Sequence, residues 1–236
     1  NWIGQNGLNL INSVPVGESW FLQVNFTGPH APMDITQSMA ELYQNEVFPL
    51  PDDDKLPAET HQAIRRNYAA MIENIDRWIG LYLEVLEKRG DLSNTLIVFS
   101  SDHGEMLGDH GRWGKGDPYH PSVSVPLVVS GPKVEQQIVS TLPTTILDLT
   151  ATFLEYANLK IPEEMDSRSL KSLLESQTNV HRDYVFSGLK KWRMVYDGRY
   201  KLINNWQKDY LLFDTETDPN ELNDLSLNPK YQDLLN

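Results

Sequence analysis

No cysteine occurs among the 236 residues of the sequence. Disulfide bonds and thiolate metal sites are therefore excluded, and cysteine usage carries no information about the redox compartment. A catalytic cysteine, or a catalytic group made from one, is excluded within this chain for the same reason.

Basic residues and long apolar runs are scarce as well. The chain carries 20 basic and 33 acidic side chains, which gives a formal net charge of −13 at pH 7. This balance argues against nucleic acid as a partner, because phosphate backbones demand clustered lysine and arginine. An anionic substrate must instead be captured by a local basic pocket against the overall field. No apolar run approaches the roughly 20 residues that cross a bilayer, so we expect no membrane partner.

One stretch near the middle of the chain combines a strand pattern with reactive side chains. The short apolar run from Leu96 to Phe99 predicts a buried parallel strand. It leads into Asp102-His103-Gly104-Glu105, and ligands of open α/β sheets bind just beyond the carboxyl ends of strands. A carboxylate and an imidazole side by side at such an edge are well placed to hold a metal. A basic group that would meet an anionic substrate follows at His110, Arg112 and Lys115.

The rest of the first 160 residues predicts a mixture of helices, strands and loops. Apolar residues at helical spacing predict a helix from Glu59 to Arg89, with Gly90 as its C-cap. The other predicted elements are an irregular segment over residues 1–17, a buried strand over 19–26, a loop over 33–57, a strand over 125–130 and a helix over 144–156. The loop contains the acidic run Asp52-Asp53-Asp54, whose spacing is not that of an EF-hand.

The character of the sequence changes around residues 159–164. A short predicted helix over residues 169–176 precedes four short predicted strands, over 184–188, 192–196, 200–203 and 210–213. Asp197-Gly198, between the second and third of these strands, is a strong hairpin-turn signal. A turn over residues 214–223 and a helix over 229–235 are predicted for the tail.

Three motifs follow the predicted strand that ends at Phe99. They are Ser101-Asp102-His103-Gly104-Glu105, Leu107-Gly108-Asp109-His110-Gly111 and Trp113-Gly114-Lys115. Together they resemble the second-half signature of the sulfatases, which belong to the alkaline phosphatase superfamily. Tyr196 to Leu202, with Leu212-Phe213-Asp214 and Asp218 to Glu221, resembles the C-terminal subdomain of the same family. The resemblance therefore covers most of the chain.

This resemblance implies an α/β fold. The expected architecture is a partial alkaline-phosphatase-like three-layer sandwich core, followed by a small C-terminal antiparallel sheet with a helix. Residues 1–160 would form the C-terminal part of the sulfatase core, and residues 161–236 the C-terminal α+β subdomain. The first strands of the core sheet would belong to an N-terminal half of the same protein, which we expect as the partner of this chain.

The resemblance also implies roles for individual residues. Asp102 and His103 match the metal-ligand pair, with Ca²⁺ as the expected ion and another divalent cation as the alternative, since many members carry Asn at the second position. Lys115 matches the lysine that contacts the sulfate and the leaving oxygen. His30 lies in a Pro-His-x-Pro loop like the one with which the family contacts sulfate, and it matches the histidine proposed as the acid. Candidates for binding the substrate's other groups are His110, Arg112 and His120.

The nucleophile of the family has no match in this chain. Sulfatases use a formylglycine made from Cys or Ser in a Cys/Ser-x-Pro-x-Arg motif, and the nearest similar stretch, Ser13-Val14-Pro15-Val16-Gly17, has Gly17 where Arg is needed. The family's paired acidic metal ligands are not found either. We therefore expect the formylglycine in the N-terminal half of the protein, and we expect this chain alone to be inactive.

The resemblance implies hydrolysis of sulfate monoesters, with a sulfated small molecule or saccharide as the substrate. Two alternatives stay open at this point. A phosphodiesterase or phosphonate monoester hydrolase of the same superfamily would share the Asp-His-Gly-Glu loop. A non-catalytic remnant of a sulfatase would bind an anion or a partner without turnover.

Overall fold

The computed structural model describes residues 2–52 and 55–235 of the chain. The α-helices are α1 Trp2–Ser13, α2 Gln37–Tyr43, α3 Ala58–Arg89, α4 His120–Val123, α5 Asp148–Tyr156 and α6 Lys171–Leu174. The strands are β1 Ile97–Ser100, β2 Leu127–Ser130, β3 Val185–Leu189, β4 Trp192–Tyr196, β5 Tyr200–Trp206 and β6 Lys208–Asp214. Short 3₁₀ turns lie at Leu92–Asn94, Asp109–Gly111 and Pro229–Leu235. The described helices include none that is both long and apolar enough to span a membrane.

The chain forms two compact units. The first unit comprises Asn1–Thr95 and Glu105–Trp113, and the second comprises Leu96–Gly104 and Gly114–Asn236. The division at residue 160 that the sequence suggests stays a prediction.

The first unit is organised around α3. This helix confirms the predicted segment, and its C-cap Gly90 adopts a left-handed φ of 76°, at which its N–H donates to the Glu87 and Leu86 carbonyls. Helix α1 packs against α3 through small residues. A Cβ added at Gly4 would lie 2.1 Å from the Trp78 ring.

Helix α1 corrects the prediction of an irregular segment over residues 1–17. Local start signals are absent there, but Gly4, Gly7 and Ile11 form one buried face of the helix. The Tyr82 hydroxyl of α3 donates to the Gly4 carbonyl at 3.1 Å. Tertiary packing therefore makes this helix, as is usual for short helices in proteins.

The predicted strand over residues 19–26 is not formed. Exposure alternates along this segment as it would in a strand, with the even-numbered residues half-buried. Within the part of the chain that the structure describes, the segment joins no sheet. The predicted loop over residues 33–57 is interrupted by α2, whose N-cap Thr36 side chain accepts a hydrogen bond from the Met39 N–H.

The second unit contains two antiparallel sheets. Strand β1 pairs with β2, with Ile97 opposite Ser130 and Ser100 opposite Leu127. The predicted parallel and buried strand is therefore wrong in both respects, because β1 runs antiparallel to its partner and Phe99 is 39% exposed. A continuous apolar run indicates burial, but it carries no information about the direction of the neighbouring strand.

The other sheet is a four-stranded meander in the order β3-β4-β5-β6. The predicted hairpin turn between β4 and β5 is confirmed, since Gly198 has a φ of 100° and the Asp197 carboxylate accepts from the Tyr200 N–H at 2.6 Å. The core on one face of this sheet includes Ile203, Leu211 and Phe213, which are at most 5% exposed. The predicted C-terminal helix over residues 229–235 is a 3₁₀ helix.

A buried carboxylate fixes α5 within the second unit. Asp148 is fully buried and accepts hydrogen bonds from Arg182 Nη2 at 2.5 Å, from His181 Nε2 at 2.9 Å and from the Arg168 N–H at 2.9 Å. Helix α5 begins at this residue, four positions later than the sequence predicts. The side chain of Asp148 also accepts from the Thr145 N–H at 3.3 Å, which ends the preceding loop.

Candidate active site

The predicted metal-ligand pair directly follows β1. The Asp102 Oδ1 accepts a hydrogen bond from the His103 N–H at 3.0 Å, and the Ser101 hydroxyl donates to the His103 carbonyl at 2.7 Å. The next residue, Gly104, donates its N–H to the Ser122 carbonyl at 2.8 Å. A Cβ at Gly104 would lie 2.0 Å from the Pro121 carbonyl oxygen, so only glycine permits this close approach of two backbone segments.

The imidazole of His103 is held in a defined tautomer. Its Nδ1 lies 2.8 Å from the Gly104 carbonyl oxygen, and a carbonyl only accepts. Nδ1 therefore carries the proton, and in the neutral ring Nε2 carries the lone pair. Nε2 is 3.6 Å from Asp102 Oδ2, so the lone pair and the carboxylate face one another across a short gap.

This arrangement fits a divalent cation. A histidine ligand normally donates its other ring N–H to a carbonyl or carboxylate, and the Gly104 carbonyl fulfils that role for His103. The Asp102 side chain is 83% exposed, which leaves its oxygens accessible to an ion. Among the described residues no group of three or more metal-ligating side chains is found. If the pair holds an ion, it would supply two ligands, and further oxygen donors would be required.

The segment that carries Lys115 and His120 is anchored in the second unit. Three backbone groups of this segment are hydrogen-bonded by side chains of later elements: the Gly116 carbonyl by Trp192, the Pro118 carbonyl by Lys201 and the His120 N–H by Glu221. Burial lowers the pKa of the His120 imidazole, the Glu221 carboxylate opposes this effect, and Lys201 adds to it. The net effect favours the neutral form of the His120 imidazole.

His110 and Arg112 lie in the first unit, in a loop held by α3. Arg65 Nη2 donates to Asp109 Oδ1 at 2.9 Å and to the Leu107 carbonyl at 3.1 Å. The His110 N–H donates to Asp52 Oδ1 at 2.5 Å, and His110 has a left-handed φ of 55°. Asp53 and Asp54, the other members of the acidic run, lie outside the described residues.

His61 is a buried residue near this loop that the sequence analysis did not identify. Its ring stacks on Trp113 with 5.8 Å between centroids and 6° between planes, and only 1% of the residue is exposed. Neither ring nitrogen has a hydrogen-bond partner among the described residues. The sequence did contain a signal for its burial. His61 lies three residues before Ile64 and seven before Tyr68, which places it on the apolar stripe of α3.

His30 lies in the first unit in a short loop between two prolines. Its N–H donates to the Thr27 carbonyl at 3.3 Å, and its Nδ1 lies 2.5 Å from the Ala31 carbonyl oxygen. Nδ1 therefore donates within the loop, and the Nε2 edge is directed away from this contact. The residue is exposed, as a group that reaches a substrate must be.

The candidate residues are thus divided between the two units. The first holds His30, His110 and Arg112, and the second holds Asp102, His103, Lys115 and His120. Within the second unit, Asp102 and His103 form one pair, and Lys115 and His120 share one anchored segment. That all seven surround one substrate stays a prediction. An open cavity of about 600 Å³ in the second unit, lined by residues 138–142, 173 and 176–179, contains none of them.

Comparison with known families gives two matches. The model described as "Sulfatase" matches residues 4–159, and the model described as "N-sulphoglucosamine sulphohydrolase, C-terminal" matches residues 108–236.

Individual relatives and structures agree with these matches. An arylsulfatase of Clostridium perfringens is 28% identical over 100% of this chain and 55% of its own length. An N-acetylglucosamine-6-O-sulfatase of Bacteroides thetaiotaomicron is 28% identical over 72% of this chain and 33% of its own length. A solved protein in complex with its substrate D-glucosamine-2-N,6-O-disulfate superimposes with a TM-score of 0.90 at 20% identity, over 99% of this chain and 66% of that one. The chain thus spans about half of the arylsulfatase and one third of the second relative.

Proposed function

Because the chain belongs to the sulfatase family, we propose that the protein containing it hydrolyses sulfate monoesters. The observation that carries this proposal is the Asp102–His103 pair after β1, with the His103 tautomer set for ligation, inside a region that matches the family over residues 4–159. The same pair is expected to hold Ca²⁺, which suits a carboxylate ligand, or another divalent cation.

The bound cation would polarise the sulfuryl oxygens and stabilise the charge that they accumulate. The pair's own contribution is to present a carboxylate oxygen and an imidazole lone pair to one ion. The Gly104 carbonyl keeps the His103 ring in the ligating tautomer. A formylglycine nucleophile and further acidic ligands are expected in other parts of the protein.

Lys115 and His30 are proposed to act on the ester itself. The ammonium group of Lys115 would neutralise charge on the sulfate and on the leaving oxygen as the S–O bond breaks. His30, presented by its loop through the Nδ1 contact with Ala31, would act as the imidazolium, keep the Nδ1 proton and give the Nε2 proton to the leaving oxygen.

We propose a sulfated saccharide as the substrate class. The relative named as an N-acetylglucosamine-6-O-sulfatase supports this choice, as does the family description of the C-terminal region. Its hydroxyl and anionic groups would be bound by His110, Arg112 and His120. These three bring imidazole and guanidinium donors to a chain whose formal net charge is −13.

The test uses the intact protein that contains this chain, with an aryl sulfate and an aryl phosphodiester that share one leaving group. Faster turnover of the sulfate, abolished by chelation and restored by Ca²⁺, is the expected result. Asp102→Ala should lower kcat about 10² to 10³-fold, because a ligand of a charge-stabilising ion is lost. Asp209→Ala, at an exposed carboxylate on β6, serves as the matched control.

The other outcomes each contradict the proposal. Preferential turnover of the phosphodiester would identify a phosphodiesterase or phosphonate monoester hydrolase. Binding of inorganic sulfate without turnover of either ester, unaffected by Asp102→Ala, would identify a non-catalytic relative.

A further inference from the structure

A buried ion pair in the second unit has no role in the chemistry described above. Lys201, on β5, and Glu221, after β6, are each 2% exposed, and the Lys201 ammonium is paired with Glu221 Oε1. Burial lowers the pKa of Lys201 despite the opposing effect of the Glu221 carboxylate. Removing two charges from water costs several kcal/mol per ion, and replacing such a pair by apolar residues is often neutral or stabilising. Stability alone therefore does not account for this pair.

Both charges are directed at one short backbone segment. Lys201 Nζ donates to the Pro118 carbonyl at 2.9 Å, and Glu221 Oε2 accepts from the His120 N–H at 2.8 Å. The Lys201 cation thus holds the Pro118 carbonyl, and the Glu221 anion holds the His120 N–H two residues later. Charge-assisted hydrogen bonds of this kind are about twice as strong as neutral ones.

The four-stranded sheet holds the same segment at two further points. Trp192 of β4, which is 3% exposed, donates its indole N–H to the Gly116 carbonyl at 3.0 Å. The ring of Tyr119 lies 6.2 Å from that of Phe213 on β6. Residues 116, 118, 119 and 120 are therefore all held from β4, β5, β6 or the loop after β6, immediately after Lys115.

Two glycines flank Lys115. Gly114 has a left-handed φ of 80°, and neither Gly114 nor Gly116 has an atom within 4 Å of its ideal Cβ position. Helix α4 begins only at His120. Glu221 itself has a φ of 56°, an unfavourable conformation for a residue with a side chain. Unfavourable backbone geometry persists where the surroundings impose it, and it clusters at functional sites.

We propose that Lys201, Glu221 and Trp192 are positioning residues that set the path of residues 116–120 and thereby present Lys115 and His120 to the substrate. This inference rests on the proposed function, because Lys115 is assigned its role there. It gives the C-terminal sheet a part in catalysis without contact with the reacting atoms.

The test compares variants of the intact protein in steady-state turnover of an aryl sulfate. The double variant Lys201→Met/Glu221→Leu removes both charges together, so that no unpaired charge stays buried and the fold is retained. We expect kcat to fall about 10 to 100-fold with KM changed less than about threefold, because misplacement of a catalytic group by about 1 Å has effects of this size. Lys208→Met, which breaks the exposed Lys208–Asp224 pair on the same sheet, is the matched control and should leave kcat unchanged.

Two further measurements separate positioning from general stability. In a Lys115→Ala/His120→Ala background the double variant should cause little additional loss, because both side chains that the positioning residues present are then absent. Glu221→Gln, which keeps an oxygen acceptor for the His120 N–H, should retain more activity than Glu221→Leu. Full additivity with Lys115→Ala/His120→Ala, or a kcat that is unchanged in the double variant, would overturn the proposal.

A readout independent of turnover keeps this test separate from that of the proposed function. Hydrogen exchange of a peptide spanning residues 115–121 should accelerate in the double variant while the Tm stays within a few degrees of the parent protein. Unchanged exchange would overturn the positioning role even if the protein hydrolyses sulfate esters. If exchange accelerates but the protein turns over only the phosphodiester, the positioning role is supported. The proposal that the protein is a sulfatase is then rejected.

Discussion

Two aspartates of the second unit have opposite environments. Asp102, after β1, has a side chain that is 83% exposed, whereas Asp148, at the start of α5, is completely buried and accepts from two arginines and a histidine. The exposed carboxylate is available to an ion, while the buried one is saturated by the protein. The same residue type is thus exposed at the proposed site and buried within the fold, and the donors around it distinguish the two.

The two sheets of this unit also differ in how far their side chains are exposed. The β1–β2 ribbon exposes Phe99 by 39% and Val128 by 60%, while Ile203 and Leu212 of the four-stranded sheet are at most 1% exposed. A two-stranded ribbon is at best marginally stable alone, and three or more strands with a buried face are needed for independent stability. The proposed ligands therefore follow the weaker sheet, and the residues proposed to position Lys115 lie in and beside the stronger one.

The largest expected effect on stability is at Asp148. Asp148→Ala should lower the free energy of unfolding by about 3 to 5 kcal/mol, because it leaves the Arg182 guanidinium partly buried without its carboxylate. Asp102→Ala should change the free energy of unfolding by far less, since that side chain is exposed. Urea unfolding of the two variants measures the difference. Equal losses would remove the distinction between the two aspartates.

A smaller effect should separate the two sheets. Ile203→Ala should lower the free energy of unfolding by about 2 to 5 kcal/mol, as expected for a cavity in a packed core. Val128→Ala should cost less than about 1 kcal/mol, because most of its side chain is already in water. Both values come from denaturant unfolding of the intact protein. A loss at Val128 as large as that at Ile203 would mean that the intact protein buries this face of the ribbon.

The smallest effect is a pH dependence that originates at Asp148. Burial alone would raise the pKa of Asp148, but hydrogen bonds from His181, Arg182 and the Arg168 backbone outweigh burial and hold this pKa well below its usual range. The stabilisation is therefore fully present above the unfolded pKa of about 3.9, and it is lost as the pH falls through the folded value.

The free energy of unfolding should accordingly decrease on acidification below about pH 4. Asp148→Asn cannot be protonated in this way, so it should show a shallower decrease. Unfolding curves at several pH values between neutral and strongly acidic measure both slopes. Identical slopes in the parent protein and the variant would assign the acid sensitivity to other carboxylates.

The parts of the fold that were predictable from sequence are those that local pattern determines. Helix α3 was predicted from its 3.6-residue periodicity and Gly90, and the β4–β5 hairpin from Asp197-Gly198. Helix α1 was not, because its buried face depends on α3. Trp192 had no motif to identify it, and Lys201 and Glu221 were recognised only as parts of a C-terminal motif. Their common target, residues 116–120, is more than 70 residues away in sequence.

The sequence by itself determined the family, the candidate site residues and the periodic elements, because motif order and apolar spacing are properties of neighbouring residues. Tertiary structure alone decided the antiparallel pairing of β1 with β2, and that residues 19–26 join no sheet within the described part of the chain. It also decided which carboxylates accept several hydrogen bonds from the protein and which are exposed to solvent. These features depend on strand partners and hydrogen-bond donors from distant parts of the chain, and burial determines how strongly each charge is held.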